Sequence, residues 1–231
     1  GDKDGLVFDS LRLTTLDGEV DAKGRLAWSP QLLWQAQLAA TDINPASSWP
    51  EWRGLLNASV YSRGGFENGQ LYVDADINKL TGKLRGYPVS LRSGLGWHDD
   101  GLDIGHLEFQ SATSQVSANG RIGAAINLDW RIVATDLAEL YPHAKGQLKA
   151  EGQLSGSQAA PLIKATIAGK RLSLPGYKSG AIDATVAADL LQWQQVNLKL
   201  AAESLKFNDY ALQSLAVDGT SKHLTAKAIS D

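Results

Sequence analysis

The chain has 231 residues, with 22 basic and 25 acidic side chains scattered along its length and a net charge of −3. The charges form no basic stripe, which argues against a nucleic-acid partner, and no run of about 18 apolar residues predicts a transmembrane helix. Cysteine and methionine are both absent. The first absence excludes thiolate metal sites and disulfides, and the second indicates a segment of a longer chain.

The first predicted strands are marked by strict alternation of apolar and polar residues. In DGEVDAKGRLAW, Val20, Ala22 and Leu26 fall on one face, whereas the charged residues between them fall on the other. Such alternation is typical of antiparallel sheets that have one apolar face and one face in water. The same pattern returns in LLWQAQLAA (32–40), LYVDADIN (71–78), INLDWRIVA (126–134), GQLKAEGQL (146–154) and VNLKLAA (196–202).

Asp-Gly and Asn-Gly pairs occur between or within these alternating runs. Such pairs favour the tight turns of β-hairpins because both residues tolerate positive φ. Where the alternation continues through the glycine, as at Gly120, a β-bulge is the alternative interpretation. The pairs are Asp17-Gly18, Asn68-Gly69, Asp100-Gly101, Asn119-Gly120 and Asp218-Gly219.

Two short segments predict single helical turns between strands. In the first, Asn44 is placed to cap and Pro45 to occupy the first helical position, while Pro50 prevents continuation. In the second, Asp136 caps a turn that ends before Pro142. The remainder of the sequence shows little helical periodicity, so the predicted fold class is all-β.

A repeat underlies this order of elements. VDAKGRL, which begins at Val20, returns about 96 residues later as VSANGRI, which begins at Val116. Trp34 and Trp130 share the same spacing, and Trp193 begins a partial third copy. We therefore expect one continuous repeat-built β-segment in which each unit packs on its neighbour. The approximate repeats cover residues 6–100, 101–192 and, as the partial copy, 193–231.

Residues with catalytic or metal-binding chemistry do not converge in this sequence. His98, Asp99, Asp100 and His106 form the sole cluster of metal-ligand types, but their spacing matches no recognised pattern. The run His-Asp-Asp-Gly predicts an exposed turn instead. The sequence therefore predicts no catalytic residue, no metal site and no cofactor, and the protein is not expected to be an enzyme.

Three segments carry a resemblance to a known family: LDGEVDAKGRLAW (16–28), DINPASSWPEWRGLLNASVYSRG (42–64) and GQLKAEGQLSGSQAAPLIKATIAGKRL (146–172). Their order and spacing resemble the central periplasmic region of the TamB family, inner-membrane subunits of the bacterial translocation and assembly module. The resemblance to this AsmA-like group implies an elongated antiparallel meander curled into an open U-shaped groove, called a β-taco. It also implies a periplasmic location in a Gram-negative bacterium, an anchor in the inner membrane, and an outer-membrane partner, TamA, bound through a region outside this chain.

The predicted apolar face has two interpretations. It is either the core of a closed sandwich of two sheets or, as the resemblance implies, the lining of an open groove that binds phospholipid acyl chains. Under the second interpretation the lining residues are Val20, Ala22, Leu26, Trp34, Leu38, Leu56, Val60, Leu71, Val73, Ile77, Ile122, Leu128, Trp130, Ile132, Leu148, Leu198 and Leu200.

For an open groove, the resemblance implies one of two functions. The first is a bridge that moves phospholipids between the inner and outer membranes, with acyl chains in the groove and head groups at its rim. The second is a chaperone-like surface for the assembly of outer-membrane β-barrels or autotransporters with TamA, where a client strand adds to an exposed edge. A structural spacer without cargo is a third interpretation. The continuous apolar face favours the first function, since strand addition requires only a free edge.

Overall fold

The structure is a computed structural model that describes residues 3–191, 196–208, 210–220 and 223–230. Trp193, predicted to begin the partial third repeat, lies outside these residues. The described chain is built from antiparallel β-strands and three single-turn 3-10 helices, and it divides into two compact units, Gly1–Ala112 and Thr113–Asp231. The predicted all-β fold class, an antiparallel meander with single-turn helical interruptions, is confirmed.

The first unit is a meander of seven antiparallel strands. Its strands are β1 (Gly5–Thr15), β2 (Gly18–Ala27), β3 (Leu33–Ile43), β4 (Gly54–Glu67), β5 (Gln70–Leu84), β6 (Tyr87–His98) and β7 (Gly101–Ser111). Each strand pairs with the next one in sequence, so the strand order in the sheet follows the chain. Two 3-10 helices, η1 (Pro45–Ser47) and η2 (Pro50–Trp52), lie between β3 and β4.

The second unit repeats this design with eight strands. Its strands are β8 (Ser114–Ile122), β9 (Ala125–Ala134), β10 (Lys145–Ser157), β11 (Ala160–Leu174), β12 (Tyr177–Asp189), β13 (Asn197–Phe207), β14 (Tyr210–Thr220) and β15 (His223–Ile229). Neighbours in sequence again pair antiparallel. One 3-10 helix, η3 (Leu137–Glu139), lies between β9 and β10, at the place that corresponds to η1 and η2.

Both predicted helical interruptions form because a side chain caps each one. Asn44 precedes η1, and its Oδ1 accepts hydrogen bonds from the backbone N–H groups of Ala46 and Gly54, both at 3.2 Å. Asp136 precedes η3, and its Oδ1 accepts a hydrogen bond from the backbone N–H of Ala138 at 3.0 Å. A proline occupies the first helical position of η1, where its missing N–H costs nothing. The predicted caps are confirmed.

Residues with positive φ form the tight turns between strands. Between β4 and β5, Asn68 and Gly69 have φ of +52° and +81°, as the type I′ geometry of a hairpin requires. Two of the predicted turn pairs are not turns. Gly120 lies inside β8 and Gly219 lies inside β14, and their pairing with β9 and β13 continues without a shift of register. An isolated Asn-Gly or Asp-Gly pair does not end a strand when the neighbouring strand still has partners for both residues.

The pairing registers place the apolar residues of the first unit on one face. Leu38 of β3 pairs with Ala22 of β2 and with Val60 of β4. Val60 in turn pairs with Ile77 of β5. Because directly paired residues point to the same side of an antiparallel sheet, this row crosses four strands on one face. We call that side of each unit the apolar face and the opposite side the polar face.

The apolar face is only partly covered. Among the described residues, the fully buried apolar side chains are mostly alanines, such as Ala22, Ala134 and Ala202. Larger side chains on the same face are half-buried, and Leu71 keeps 41% of its surface exposed. A closed sandwich would bury its Leu, Ile and Trp side chains completely, so this burial pattern contradicts the closed interpretation. The sheet is open, and the greater exposure of the polar face fits a sheet that curls around its apolar side.

Candidate functional site

Ten of the residues predicted to line a groove lie on the apolar face of the first unit. Leu26 pairs with Trp34, and Trp34 pairs with Gly64, which pairs with Val73. This row lies four residues along each strand from the Leu38 row and therefore shares its face. Ala22 is buried, Leu71 is exposed and the other predicted residues are half-buried. The ten are Val20, Ala22, Leu26, Trp34, Leu38, Leu56, Val60, Leu71, Val73 and Ile77.

The other seven predicted residues lie on the apolar face of the second unit. Trp130 pairs with Gly152, which pairs with Ala165. Ala165 pairs with Val186, and Val186 pairs with Leu198, so one row joins β9 to β13. The seven residues, all half-buried, are Ile122, Leu128, Trp130, Ile132, Leu148, Leu198 and Leu200. Within each unit the predicted residues thus share one face.

The repeated tryptophans lie over glycines of the neighbouring strand. A Cβ placed on Gly64 would overlap the indole ring of Trp34, and a Cβ on Gly152 would lie 2.7 Å from Cζ2 of Trp130. The indole Nε1–H of Trp34 donates a hydrogen bond to Oγ of Ser62 at 3.2 Å, which fixes the ring along the sheet. Each ring therefore occupies the space that a side chain would take on the paired strand, so a glycine is required opposite each tryptophan.

Apolar-face residues that follow a β-bulge do not fit the alternation of the sequence and were not predicted. Leu80 is three residues from Ile77, so strict alternation would place the two on opposite faces. A shift of register between them returns Leu80 to the apolar face, where it pairs with Ala58 and Leu91. Leu91 pairs in turn with Phe109. The signal that could have found this row is the spacing of three itself, which a bulge converts to the same face.

The polar face of the first unit carries a charged cluster. Nε of Arg63 donates to Oδ2 of Asp74 at 2.9 Å, and this bond, with the negative charge of Asp74, raises the pKa of Arg63. Nε2 of His98 lies 3.2 Å from Oδ1 of Asp74, and its Nδ1 lies 3.4 Å from Oδ2 of Asp103. The ring of His98 also stacks on that of Tyr72, with centroids 6.4 Å apart. The contacts tie β4, β5, β6 and β7 together on the side opposite the apolar row.

The histidine cluster considered in the sequence does not assemble as a metal site. Over the described ranges, no group of three or more His, Asp or Glu side chains is arranged to hold a metal ion. His98 ends β6 and Asp99 and Asp100 form the following turn, both with positive φ. In the same part of the chain, no helix has the length and apolar character needed to cross a membrane.

A repeat-built antiparallel meander with one partly covered apolar face and one charged face places each unit in the class of open antiparallel sheets. The family model described as "TamB, N-terminal domain" matches residues 1–224. The chain therefore belongs to the TamB family, a component of the translocation and assembly module that works with TamA. No solved structure gives a significant match to the chain.

Proposed function

We propose that the apolar faces bind phospholipid acyl chains and that the chain forms part of a bridge that moves phospholipids between the inner and outer membranes. The observation that carries the proposal is the row of Ala22, Leu38, Val60 and Ile77, which crosses four strands without a polar side chain. These residues are covered only in part by their own chain, apart from the buried Ala22. An apolar surface left in contact with water gains free energy when an apolar ligand covers it.

The expected attraction follows from the methylene groups of the ligand. Each buried CH2 contributes about 0.8 kcal/mol, so a chain of about sixteen carbons gains on the order of 10 kcal/mol before ordering costs. The Leu38 row and the Leu26–Trp34 row offer similar apolar surface at neighbouring positions. Similar affinity at successive positions lets a lipid move along the sheet without being trapped. Movement of this kind requires no covalent step and no catalytic group.

Membership of the TamB family supports an envelope setting for this activity. In the proposal the chain lies in the periplasm of a Gram-negative bacterium, as part of a protein anchored in the inner membrane. The outer-membrane partner TamA is met through a region outside this chain. Acyl chains lie on the apolar face, and head groups stay at the strand ends, where turns and 3-10 helices meet water.

A charge placed at Leu38 tests the proposal. Leu38 is half-buried and lies mid-strand on the apolar face, whereas its neighbour Gln37 is exposed on the polar face. In an open sheet the carboxylate of Leu38→Asp reaches water, so the protein folds but repels acyl chains. The matched control, Gln37→Asp, introduces the same charge one residue away. We expect Leu38→Asp, but not Gln37→Asp, to lose the phospholipid that co-purifies with the protein, measured by extraction and mass spectrometry.

Circular dichroism checks that both variants are folded, and Leu38→Gln serves as a neutral polar variant should the aspartate disturb folding. Folded Leu38→Asp and Leu38→Gln proteins that keep wild-type amounts of lipid would refute acyl-chain binding on this face. The chaperone-like function would then be favoured, because strand addition uses the backbone of a sheet edge and is insensitive to the Leu38 side chain.

A further inference from the structure

The apolar face of the first unit ends in exposed apolar side chains at one of its two rims. We call the rim formed by the turns β2–β3, β4–β5 and β6–β7 the first rim, and these side chains the rim cluster. Each of them keeps between 37% and 48% of its surface exposed, whereas Leu38 and Ile77 in the middle of the face are half-buried. The rim cluster consists of Trp28, Leu32, Phe66, Leu71 and Trp97.

The strand registers place the rim cluster on the apolar face. Trp97 pairs with Val73, which belongs to the Trp34 row of that face. Phe66 pairs with Leu71, two residues beyond Val73. The N–H of Phe66 donates a hydrogen bond to the carbonyl oxygen of Leu32 at 3.2 Å, so Leu32 stands opposite Phe66 and shares its face.

Trp28 extends the rim cluster to the end of β2. It lies two residues after Leu26, so the alternation of side chains returns it to the apolar face. Its backbone N–H donates to the carbonyl oxygen of Asp4 at 3.0 Å, and its indole Nε1–H donates to that of Lys3 at 3.1 Å. These bonds hold the ring at the rim. A tryptophan with a satisfied N–H and an exposed ring is typical of the border between an apolar region and water.

The opposite, second rim of the first unit is tied together by hydrogen bonds. The backbone N–H of Asn44, which precedes η1, donates to the carbonyl oxygen of Leu16 in the β1–β2 turn at 2.8 Å. The backbone N–H of Arg85, in the β5–β6 turn, donates to the carbonyl oxygen of Arg53, which follows η2, at 2.7 Å. The segment that carries η1 and η2 is therefore connected to the turns on both sides of it.

The apolar face is better covered beside the second rim. Leu84 and Tyr87, which pair next to the β5–β6 turn, are half-buried. Val89 keeps only 5% of its surface exposed, and Ser111, with which it pairs, keeps 1%. From β2 to β6, every large apolar side chain that is exposed on this face of the described chain belongs to the rim cluster. The leucines of β1 are exposed along the whole strand, because β1 has one neighbouring strand in the described sheet.

The turns beside the rim cluster carry negative charge. Glu67 directly follows Phe66, and Asp99 and Asp100 form the β6–β7 turn after Trp97; all three carboxylates are exposed. The ammonium group of a zwitterionic phospholipid has the complementary charge. The rim cluster continues the apolar face outward to these turns, so one phospholipid can meet both with its two parts.

We propose that phospholipids enter and leave the apolar face of the first unit across the rim cluster, with the ammonium of a zwitterionic head group beside the acidic turns. The inference rests on the proposed acyl-chain binding and assigns it one of the two rims. An acyl chain that crosses exposed apolar side chains keeps fewer methylenes in contact with water during transit, so its passage is faster there than elsewhere.

The position of the head group is the first test, and the absence of cysteine from the chain allows a single label to report it. Gln70→Cys carries a fluorophore at the first rim, and Ser48→Cys carries the same fluorophore at the second rim; both wild-type side chains are exposed. The probe is phosphatidylcholine with a nitroxide on its choline group, since a nitroxide quenches a nearby fluorophore. We expect the bound probe to quench the label on Gln70→Cys more strongly than the label on Ser48→Cys.

The rate of lipid uptake is the second test. Leu32→Gln/Phe66→Gln removes two side chains of the rim cluster, neither of which is proposed to line the face. The control, Val7→Gln/Leu55→Gln, removes two exposed apolar side chains from the polar face, where they pair with Arg25 and Lys83. We expect the rim variant to take up phosphatidylcholine from vesicles about tenfold more slowly than the control, as when about two methylenes lose their cover in transit. The amount bound at equilibrium should be the same in both.

Equal quenching of the two labels, or stronger quenching of the label on Ser48→Cys, would overturn the assignment of the rim. Uptake by the rim variant at the rate of the control would overturn the role of these side chains in entry. Either result, obtained while the wild type still takes up lipid, refutes this inference alone and leaves acyl-chain binding intact. A wild type that takes up no phosphatidylcholine refutes acyl-chain binding and, with it, this inference.

Discussion

Gly24 and Gly120 hold the same place in the repeat, and their replacement by alanine tests why the pattern recurs. A Cβ on Gly24 would overlap the carbonyl oxygen of Gln35 and lie 2.9 Å from Cα of Ala36 on the neighbouring strand. A Cβ on Gly120 would overlap the carbonyl oxygen of Asn127 and lie 2.8 Å from the next Cα. Both obstacles are backbone atoms, which cannot swing aside as the end of a side chain can. Gly120 also has φ of +134°, a conformation that alanine rarely adopts.

The expected losses of stability differ because the two sites differ in φ. Forcing a methyl group against packed backbone costs about 1–3 kcal/mol, and a strained φ adds about 1–3 kcal/mol. About 0.4–1 kcal/mol of this loss is offset, because alanine has less conformational freedom than glycine in the unfolded chain. Gly120→Ala should therefore lower the free energy of unfolding by about 1–6 kcal/mol. Gly24→Ala, which does not have the cost of a strained φ, should lower it by at most about 3 kcal/mol.

Urea denaturation followed by tryptophan fluorescence measures these losses as shifts of the unfolding midpoint. Gly105→Ala is the control, because the nearest atom to its added Cβ is 3.6 Å away, an ordinary contact. Its midpoint should stay close to that of the wild type. If Gly120→Ala unfolds at the same urea concentration as Gly105→Ala, the close approach of the strands is not what the glycine preserves.

Two further substitutions, Glu139→Gln and Asn44→Ala, have effects on stability whose direction follows from the structure. Burial of the Glu139 carboxyl would raise its pKa, but hydrogen bonds from Ser114 and Thr113 outweigh that effect and lower it. A lowered pKa means stability that is present above the ordinary glutamate range and is lost as the pH falls through the folded-state value. Urea midpoints measured from pH 7 down to about pH 3 should therefore fall more steeply for the wild type than for Glu139→Gln; equal slopes would contradict this assignment. Asn44→Ala removes the cap of η1 and should cost about 1–2 kcal/mol in thermal or urea unfolding, whereas Asn44→Asp, which keeps the accepting oxygen, should cost less. Equal losses in the two variants would show that the cap does not stabilise the unit.

Much of the fold could be predicted from the alternation of apolar and polar side chains in the sequence alone. A period of two is a local property of the extended backbone, so the placement of Leu38 and Gln37 on opposite faces followed from the sequence. The caps at Asn44 and Asp136 were equally local, since each depends on residues within one turn. Family membership could also be anticipated, because the order of such local patterns persists over the whole chain.

Tertiary structure decided the features that depend on what lies on the next strand. A bulge places Leu80 on the apolar face, and continued pairing keeps Gly120 inside a strand, where its Asn-Gly pair had indicated a turn or a bulge. The choice between a closed core and an open face depended on how far the apolar side chains are buried. The period of the sequence does not show burial, because an apolar stripe has the same pattern whether or not another element covers it. The backbone hydrogen bond between Arg53 and Arg85 could not be predicted from the sequence either. A hydrogen bond between residues 32 positions apart is created by strand register alone, and register is a property of the folded sheet.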